Sequence, residues 1–255
     1  MTAHVLTDTS VLTGRSLRHI LRSPDTIITT VITPIALLLV FVFVFGGAID
    51  TGQTSGSYID YLLPGILLIT IASGVSYTSY RLFLDLKGGI VERFRSMPIA
   101  RSSVLWAHVL TSLVSILVSL AIVVAVAVLL GFRTAAGVGA WLAVTGILVL
   151  FTLALTWIAV IAGLSAKTPD GAGAFSYPLI FLPFISSAFV PTDTMPAPVA
   201  WFAEHQPVTP IVDSIRALFA QQPVGTELWI ALAWCVGILV AAFAGALAIY
   251  RRRFR

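Results

Sequence analysis

Charged residues are scarce in this chain. Only 10% of its 255 residues are Asp, Glu, Lys or Arg, whereas 58% are apolar and the mean hydropathy is +1.00. A soluble domain carries about 25% charged residues, and one of this size has too little interior to bury so much apolar surface. The composition therefore excludes a cytosolic enzyme, a disordered chain and a nucleic-acid-binding domain. It leaves a single membrane domain with several spans.

Recognisable sites for metals, nucleotides and covalent catalysis are missing as well. The single cysteine, Cys235, cannot form an internal disulfide, and the four histidines lack the spacing of metal ligands. Neither lysine, Lys87 or Lys167, stands in the Gly-Lys-Ser/Thr context of a P-loop, and no GxSxG motif occurs. We therefore expect no catalytic residue, no metal and no cofactor bound by this chain.

Long stretches without charge are abundant. Six stretches of at least 20 residues contain no Asp, Glu, Lys or Arg, and each is long enough to cross a hydrocarbon core of about 30 Å as a helix. They place candidate helices near 27–47, 61–81, 104–131, 139–164, 172–191 and 228–250. We predict an all-α integral membrane fold with six transmembrane helices in one domain over residues 1–255.

The basic residues divide unevenly between the two ends of the predicted bundle. Of the 15 Lys and Arg residues, all but Arg133 and Arg216 flank one side. The positive-inside rule places that side in the cytoplasm. Both termini are then cytoplasmic, as an even number of spans requires, and the chain is a multi-pass protein of the inner or plasma membrane.

Three segments outside the spans have amphipathic patterns. Residues 11–22 alternate apolar and basic positions, which predicts an interfacial helix on the cytoplasmic leaflet. Residues 90–96 follow two glycines in the loop after the second span and predict a short cytoplasmic helix that ends at Pro98. Residues 210–221 carry an apolar stripe but are too short to span, so we predict a half-inserted external helix before the last span.

Polar side chains within the second and fifth spans are candidates for the lining of a transport path. Ser73, Ser76 and Tyr80 share one face of the second span, beside Tyr77. Tyr177 lies where prolines predict a broken or kinked fifth span. Small polar residues also let helices pack closely, so a path and close helix packing are both open interpretations.

Two further polar positions have simpler explanations. Asp213 and Arg216 stand three residues apart on the predicted external helix, where they form either a local ion pair worth a few tenths of a kcal/mol or a gate contact. His108 lies near the cytoplasmic end of the third span, and we expect it to be a structural histidine with a partner.

Two motifs connect this plan to a known family. Residues 87–105, KGGIVERFRSMPIARSSVL, contain a glutamate followed by Arg-x-Arg and then Met-Pro. This segment resembles the cytoplasmic signature of the type-2 ABC export permeases. Residues 206–218, QPVTPIVDSIRAL, resemble the external segment of the daunorubicin-resistance branch of that family. Together with the hydropathy plan, the resemblance covers nearly the whole chain.

The resemblance implies a permease subunit of an ATP-driven exporter that has no ATPase of its own. Its cargo would be hydrophobic or amphiphilic, a drug-like compound or a lipid, exported from the cytoplasm or the inner leaflet. The implied partners, besides membrane lipid, are a P-loop ATPase subunit that binds ATP and Mg²⁺ and a second permease chain, identical or paralogous. The cytoplasmic helix would contact the ATPase through Glu92, Arg93, Phe94, Arg95 and Met97. Membrane orientation alone explains the arginines equally well.

Other functions remain open at this point. A polysaccharide or glycolipid exporter of the same family is expected to have a more aromatic and hydrogen-bonding path. An ion-coupled secondary transporter usually carries ionisable residues in its spans, although backbone carbonyls alone can coordinate Na⁺. A membrane lipid enzyme would need clustered His, Asp or Glu residues at one membrane face. A subunit that only anchors an ATPase would differ from a permease in moving no cargo.

Overall fold

The computed structural model describes residues 25–46, 58–88 and 103–253, and all regular structure among them is helical. The helices are α1 (Asp25–Val40), α2 (Tyr58–Lys87), α3 (Ser103–Leu129), α4 (Val138–Ser165), α5 (Pro169–Ala174), α6 (Ser176–Phe181), α7 (Ala197–His205), α8 (Val208–Phe219) and α9 (Glu227–Arg253). A π-helical segment, Phe41–Phe45, extends α1, and 3₁₀ turns occupy Leu182–Ile185 and Thr192–Thr194. The predicted all-α class holds for the described part of the chain.

Four helices are long and apolar enough to cross a membrane. They are α2, α3, α4 and α9, and they coincide with the predicted second, third, fourth and sixth spans. The predicted first span corresponds to α1 and its π-helical extension, which form a shorter apolar helix. Length and the absence of charge located these elements correctly because lipid accepts few other arrangements of the backbone.

The predicted fifth span near 172–191 is a broken helix, which is one of the two alternatives that its prolines left open. The segment divides into α5, α6 and a 3₁₀ turn, and it ends in turns before Pro191. Pro178 has no N–H to donate to the carbonyl four residues earlier, and Pro183 stands in the 3₁₀ turn. At the junction of α5 and α6, Ser176 Oγ donates a hydrogen bond to the Gly173 carbonyl at 2.8 Å. We call residues 169–185 the broken segment.

The stretch between the broken segment and α9 contains two short helices, α7 and α8. The predicted amphipathic helix over 210–221 is present as α8, and its apolar stripe is buried, including Ile211, Val212, Ile215 and Phe219. The sequence reading missed α7, which follows Pro196 and has Pro198 in its first turn. Proline at the first helical positions is a recognised start signal, and it was available in the sequence.

Two predicted segments lie outside the described residues. They are the interfacial helix over 11–22 and the cytoplasmic helix over 90–96. The candidate ATPase contacts lie there as well: Glu92, Arg93, Phe94, Arg95 and Met97. Both helices and these contacts stay predictions.

Helix α2 is the centre of the bundle. It packs against α1, α3, α4, α8 and the broken segment, and 83% of its most apolar stretch is buried, compared with 22% in α9. Helix α2 is the least apolar of the four long helices, and an interior position lets its small polar side chains contact other helices instead of lipid. Every other element that carries a candidate site residue is therefore placed by its contact with α2.

A separate apolar cluster joins four helices at the predicted cytoplasmic end. It contains Leu82 of α2, Leu105 of α3, Trp157 of α4 and Tyr250 of α9. The Trp157 ring meets the Phe243 ring edge to face, with centroids 4.8 Å apart and an interplanar angle of 88°. Such aromatic pairs contribute about 0.5–1.5 kcal/mol beyond their buried area, so this end of the bundle is held firmly.

Small residues allow α2 and α4 to approach closely. A Cβ atom built on Gly163 of α4 would lie 2.8 Å from the Ser79 carbonyl oxygen and 3.2 Å from Leu82 Cβ. Close backbone contact of this kind is typical of helix packing in membranes. The contact sets the spacing of the two helices on which the interior depends.

Substitution of this glycine should separate the helices. We expect Gly163→Ala to lower the free energy of unfolding by about 1–3 kcal/mol, because a methyl group must displace backbone rather than a flexible side chain. The measurement is the thermal unfolding midpoint of the purified chain. Gly146→Ala on the same helix is the matched control, since a Cβ there meets nothing within 4 Å. Equal midpoints for the two variants would contradict the packing account.

Candidate functional site

A cleft of about 310 Å³ opens where the broken segment packs against α2. Its lining residues are Thr30, Ser73, Ser76, Tyr77, Tyr80, Pro169, Asp170, Gly173 and Tyr177. All five residues that the sequence predicted for a path belong to this set. Four of them come from one face of α2, and Tyr177 comes from α6. The structure thus places the five candidates around a single cleft.

The wall of the cleft combines hydroxyl groups with aromatic rings. Ser76 Oγ donates to the Gly173 carbonyl at 3.2 Å and ties α2 to α5. Ser73 Oγ is buried and has no hydrogen-bond partner within the described part of the chain. The side chains of Tyr80 and Tyr177 are 37% and 62% exposed. The surface can therefore take up an apolar body and offer a few hydrogen bonds to it.

Sequence reasoning missed Asp170, which is the one charged residue among the described residues that line the cleft. In the sequence, Asp170 stands just before the predicted fifth span. Thr168 caps α5 by accepting a hydrogen bond from the Gly171 N–H at 3.1 Å, Pro169 follows, and Asp170 stands exposed in the first turn. Threonine, proline and an acid in this order are a helix-start signal. That signal indicated a helix at 169 but not the cleft beside it.

A second, narrower cavity of about 30 Å³ lies between α1, α2 and α3 and shares Thr30 and Tyr77 with the cleft. Thr78 and Ser112 are hydrogen-bonded to each other across it. Thr111 Oγ1 is buried there and has no hydrogen-bond partner among the described residues. A polar cavity of this volume is large enough for a water molecule. In the described ranges, no three His, Cys, Asp or Glu residues converge as metal ligands.

His108 has the partner that we expected of it. Its Nε2 lies 3.2 Å from Asp85 Oδ2, and the pair joins α3 to α2 near the predicted cytoplasmic end. Arg81, one turn away on α2, has its guanidinium carbon 5.8 Å from the centroid of the Tyr77 ring. These groups connect the Tyr77 side of the cleft with the end of the bundle that carries most of the basic residues.

The Asp213–Arg216 pair is more than a local contact on α8. Arg216 Nη1 donates to Asp213 Oδ1 at 2.7 Å. Arg216 Nη2 donates to the carbonyl oxygens of Tyr61 at 3.1 Å and Ser187 at 2.9 Å. Ser187 Oγ donates to Asp213 at 2.8 Å, and the Tyr61 hydroxyl donates to the Ser187 carbonyl at 2.9 Å. We call these four residues the Arg216 network; it connects α8, α2 and the turn after the broken segment.

The network is largely removed from solvent. The Arg216 side chain is 15% exposed, and that of Asp213 is 34% exposed. Burial lowers the pKa of the Arg216 guanidinium, whereas Tyr61 and Asp213 act to raise it. Arginine stays protonated in proteins, so a buried positive charge is held by one carboxylate, two carbonyls and the face of the Tyr61 ring, 3.8 Å away.

We call the half of the bundle that contains the Arg216 network the upper half and the half that contains Arg81 the lower half. Stacked aromatic rings fill the interior of the upper half and form the aromatic seal. The Phe189 ring stacks on Phe41 at 4.7 Å and on Phe184 at 4.8 Å between centroids. Ala188 lies so close to Gly65 that a Cβ on this glycine would be 2.7 Å from the alanine Cβ. The cleft is therefore closed towards the Arg216 network, and it lies in the half of the bundle that contains Arg81.

Comparison with known proteins agrees with this architecture. The model of the ABC-2 type transporter family matches residues 7–220. The chain is 29% identical over 235 residues to the daunorubicin resistance ABC transporter permease protein DrrB1 of Streptomyces coeruleorubidus, covering 89% of this chain and 77% of that protein. It is 27% identical over 248 residues to the probable doxorubicin resistance ABC transporter permease protein DrrC of Mycobacterium tuberculosis, covering 96% and 88%.

Removal of the buried guanidinium should cost stability. We expect Arg216→Met to lower the free energy of unfolding by about 2–3 kcal/mol, because the Asp213 carboxylate and the carbonyls of Tyr61 and Ser187 each lose a charge-assisted hydrogen bond. Arg133→Met is the control: Arg133 is exposed, and its guanidinium bonds the carbonyls of Val128 and Phe132 in its own segment. That variant should lose at most about 1 kcal/mol. Similar losses in thermal unfolding would show that the network does not connect three elements energetically.

Proposed function

The chain belongs to the ABC-2 type transporter family, and we propose that it is the transmembrane permease subunit of an ATP-driven exporter of drug-like amphiphiles or lipids. Similar proteins are named for resistance to daunorubicin and doxorubicin. Family membership favours this function over an ion-coupled secondary transporter and over a membrane enzyme. The direction of transport, from the cytoplasm or inner leaflet to the outside, is part of the proposal.

The cleft beside the broken segment is the observation that supports a drug-sized cargo. Its volume of about 310 Å³ lies at the lower end of the range for pockets that bind drug-sized ligands. The described part of its lining is aromatic and hydroxylic and contains a single charge. An amphiphile that enters from the basic, cytoplasmic half would replace lipid contacts with contacts to tyrosine rings. A polysaccharide chain would require a longer continuous lining than these nine residues offer.

Energy must come from a partner, since the sequence has no P-loop. We assign ATP and Mg²⁺ to a separate ATPase subunit and the contact with it to residues 90–97. The lower end of α2 is well suited to pass on movement from that contact. The His108–Asp85 pair and the cluster around Trp157 tie it to α3, α4 and α9, so a push on the loop after Lys87 moves several helices together.

A second permease chain and lipid would cover the remaining apolar surface. Large side chains on α1 and its π-helical extension, on α3 and on α9 are exposed in the single chain, among them Phe43, Val118 and Trp234. Exposed apolar surface of this extent indicates contact with lipid or another membrane helix. We propose that two permease chains, identical or paralogous, pair with two ATPase subunits.

The Arg216 network would act as the closed external side in this scheme. It holds α8 against the start of α2 and against the turn after the broken segment, above the aromatic seal. Passage of cargo requires these elements to separate at least transiently. A conformational change driven by ATP at the opposite end supplies such a separation, and the network restores the closed arrangement afterwards.

The direct test of the function is ATP-dependent export from sealed vesicles. The chain and its ATPase partner are reconstituted together, and accumulation of a fluorescent amphiphile is followed after ATP addition. We expect accumulation only with both subunits and hydrolysable ATP. Equal uptake into vesicles that lack the chain would contradict the proposal.

Charge reversal at the ATPase contact should uncouple transport. Glu92→Arg is expected to lose most ATP-driven export while the chain inserts and folds normally, because membrane orientation does not require an acid at this position. The exposed Glu204 of α7 provides the control. Glu204→Arg makes the same charge change on the predicted external side and should keep export. Full export by the Glu92 variant would remove the basis for the coupling assignment.

The membrane topology makes a separate prediction. Single cysteines placed at Gly56 and Thr194 should react with an impermeant thiol reagent added outside intact cells, and a cysteine at Gly88 should not. The native Cys235 is buried and serves as the background control. Reaction at Gly88 from outside would overturn the proposed orientation of the spans.

A further inference from the structure

Asp170 gives the cleft a negative charge that none of the described lining residues neutralises. Of the nine described residues around the cleft, Asp170 alone is charged, and none is Lys, Arg or His. Deepening the proposed function, on which this inference rests, we propose that Asp170 selects cargo carrying a protonated amine next to an apolar body. The amine binds the carboxylate, and the apolar body lies against the exposed tyrosine rings.

The carboxylate is available for a ligand. The two ion pairs among the described residues are His108–Asp85 and Arg216–Asp213, and neither involves Asp170. Its position is fixed locally, since the Thr168 cap and Pro169 define the first turn of α5. The bond from Ser76 to the Gly173 carbonyl then holds α5 against α2. The charge is thus fixed at the rim of the cleft and remains open to solvent.

The tyrosine rings suit the rest of such a ligand. Tyr80 of α2 and Tyr177 of α6 are both substantially exposed, although the neighbours of Tyr80 on α2 include buried residues such as Ser79 and Leu82. The face of a tyrosine ring attracts a cation electrostatically and also offers apolar contact area. Tyr77 already has the Arg81 guanidinium near its ring. Tyr80 and Tyr177 are therefore the rings that remain for a ligand.

Neighbouring basic groups define the limits of the site. Arg81 lines the narrow cavity on the other side of Tyr77 and does not line the cleft. Lys167 precedes α5 by two residues and is exposed. A cationic ligand is therefore held on the α5 side of the cleft, away from Arg81. An anionic amphiphile would meet Asp170 without a compensating cation among the described lining residues.

A purely structural role for Asp170 makes a different prediction. An acid in the first turn of a helix stabilises that helix whatever the ligand is, and Glu227 occupies the same position in α9. If Asp170 only supported α5, its loss would weaken binding of charged and neutral ligands alike. If it selects charge, its loss would weaken binding of the amine alone. A pair of probes with the same shape separates the two roles.

The experiment compares 1-naphthylmethylamine, which is protonated at neutral pH, with 1-naphthylmethanol, which is neutral and of nearly the same shape. Fluorescence titrations use the full chain in lipid nanodiscs, with empty nanodiscs subtracted. The unsubstituted chain should bind the amine about three- to tenfold more tightly than the alcohol. Asp170→Asn should abolish this preference and leave the affinity for the alcohol unchanged. Asp170→Glu and the matched control Glu227→Gln should both keep it.

Four outcomes would overturn the inference: no binding of either probe, no preference for the amine in the unsubstituted chain, a preference that persists in Asp170→Asn, or equal loss of affinity for both probes in that variant.

These titrations need neither ATP nor the ATPase. A charge preference at Asp170 without any ATP-driven export would refute the proposed function alone. Export of amphiphiles without a charge preference would refute this inference alone.

Discussion

The buried charge of Arg216 is the interaction on which the rest of the arrangement depends. A guanidinium in an apolar interior must have acceptors, and α8 supplies only Asp213. The remaining acceptors are backbone carbonyls of Tyr61 and Ser187, and the latter is free because the fifth span is broken before it. Three features therefore depend on one another: the break in the fifth span, the position of α8 and the closed interior near Arg216. A continuous fifth helix would use its carbonyls internally and leave this charge without sufficient partners.

The same break creates the cleft. The fifth span consists of two short helices, α5 and α6, instead of one continuous apolar helix. Gly173 of α5 and Tyr177 of α6 can therefore lie close to the hydroxyl-bearing face of α2. The two ends of α2 then differ in chemistry. Its upper end is held by the Arg216 network, and its lower end is held by the Asp85–His108 pair and an aromatic cluster. Helix α2 is thus held at both ends, and between these ends one of its faces lines the cleft.

Much of this arrangement was accessible from sequence, and the failures have physical causes. Charge-free length located α2, α3, α4 and α9 because a lipid environment leaves the backbone few options. Helical spacing placed Ser73, Ser76 and Tyr80 on one face, and the structure adds Tyr177 from another helix. The sequence left open whether the fifth span is broken or kinked, because the effect of Pro178 depends on whether other groups satisfy the released carbonyls. Asp170 was overlooked because charges served as boundaries, and the partners of Arg216 lie up to 155 positions away in the chain.

The central claim is that this chain is a permease powered by another subunit. The most direct measurement is gentle purification of the tagged chain from its native membrane, followed by mass spectrometry of the proteins that accompany it. The account predicts a stoichiometric subunit with a P-loop, together with a second permease chain that is identical or paralogous. A chain recovered without any ATPase, even after cross-linking in the membrane, would contradict it.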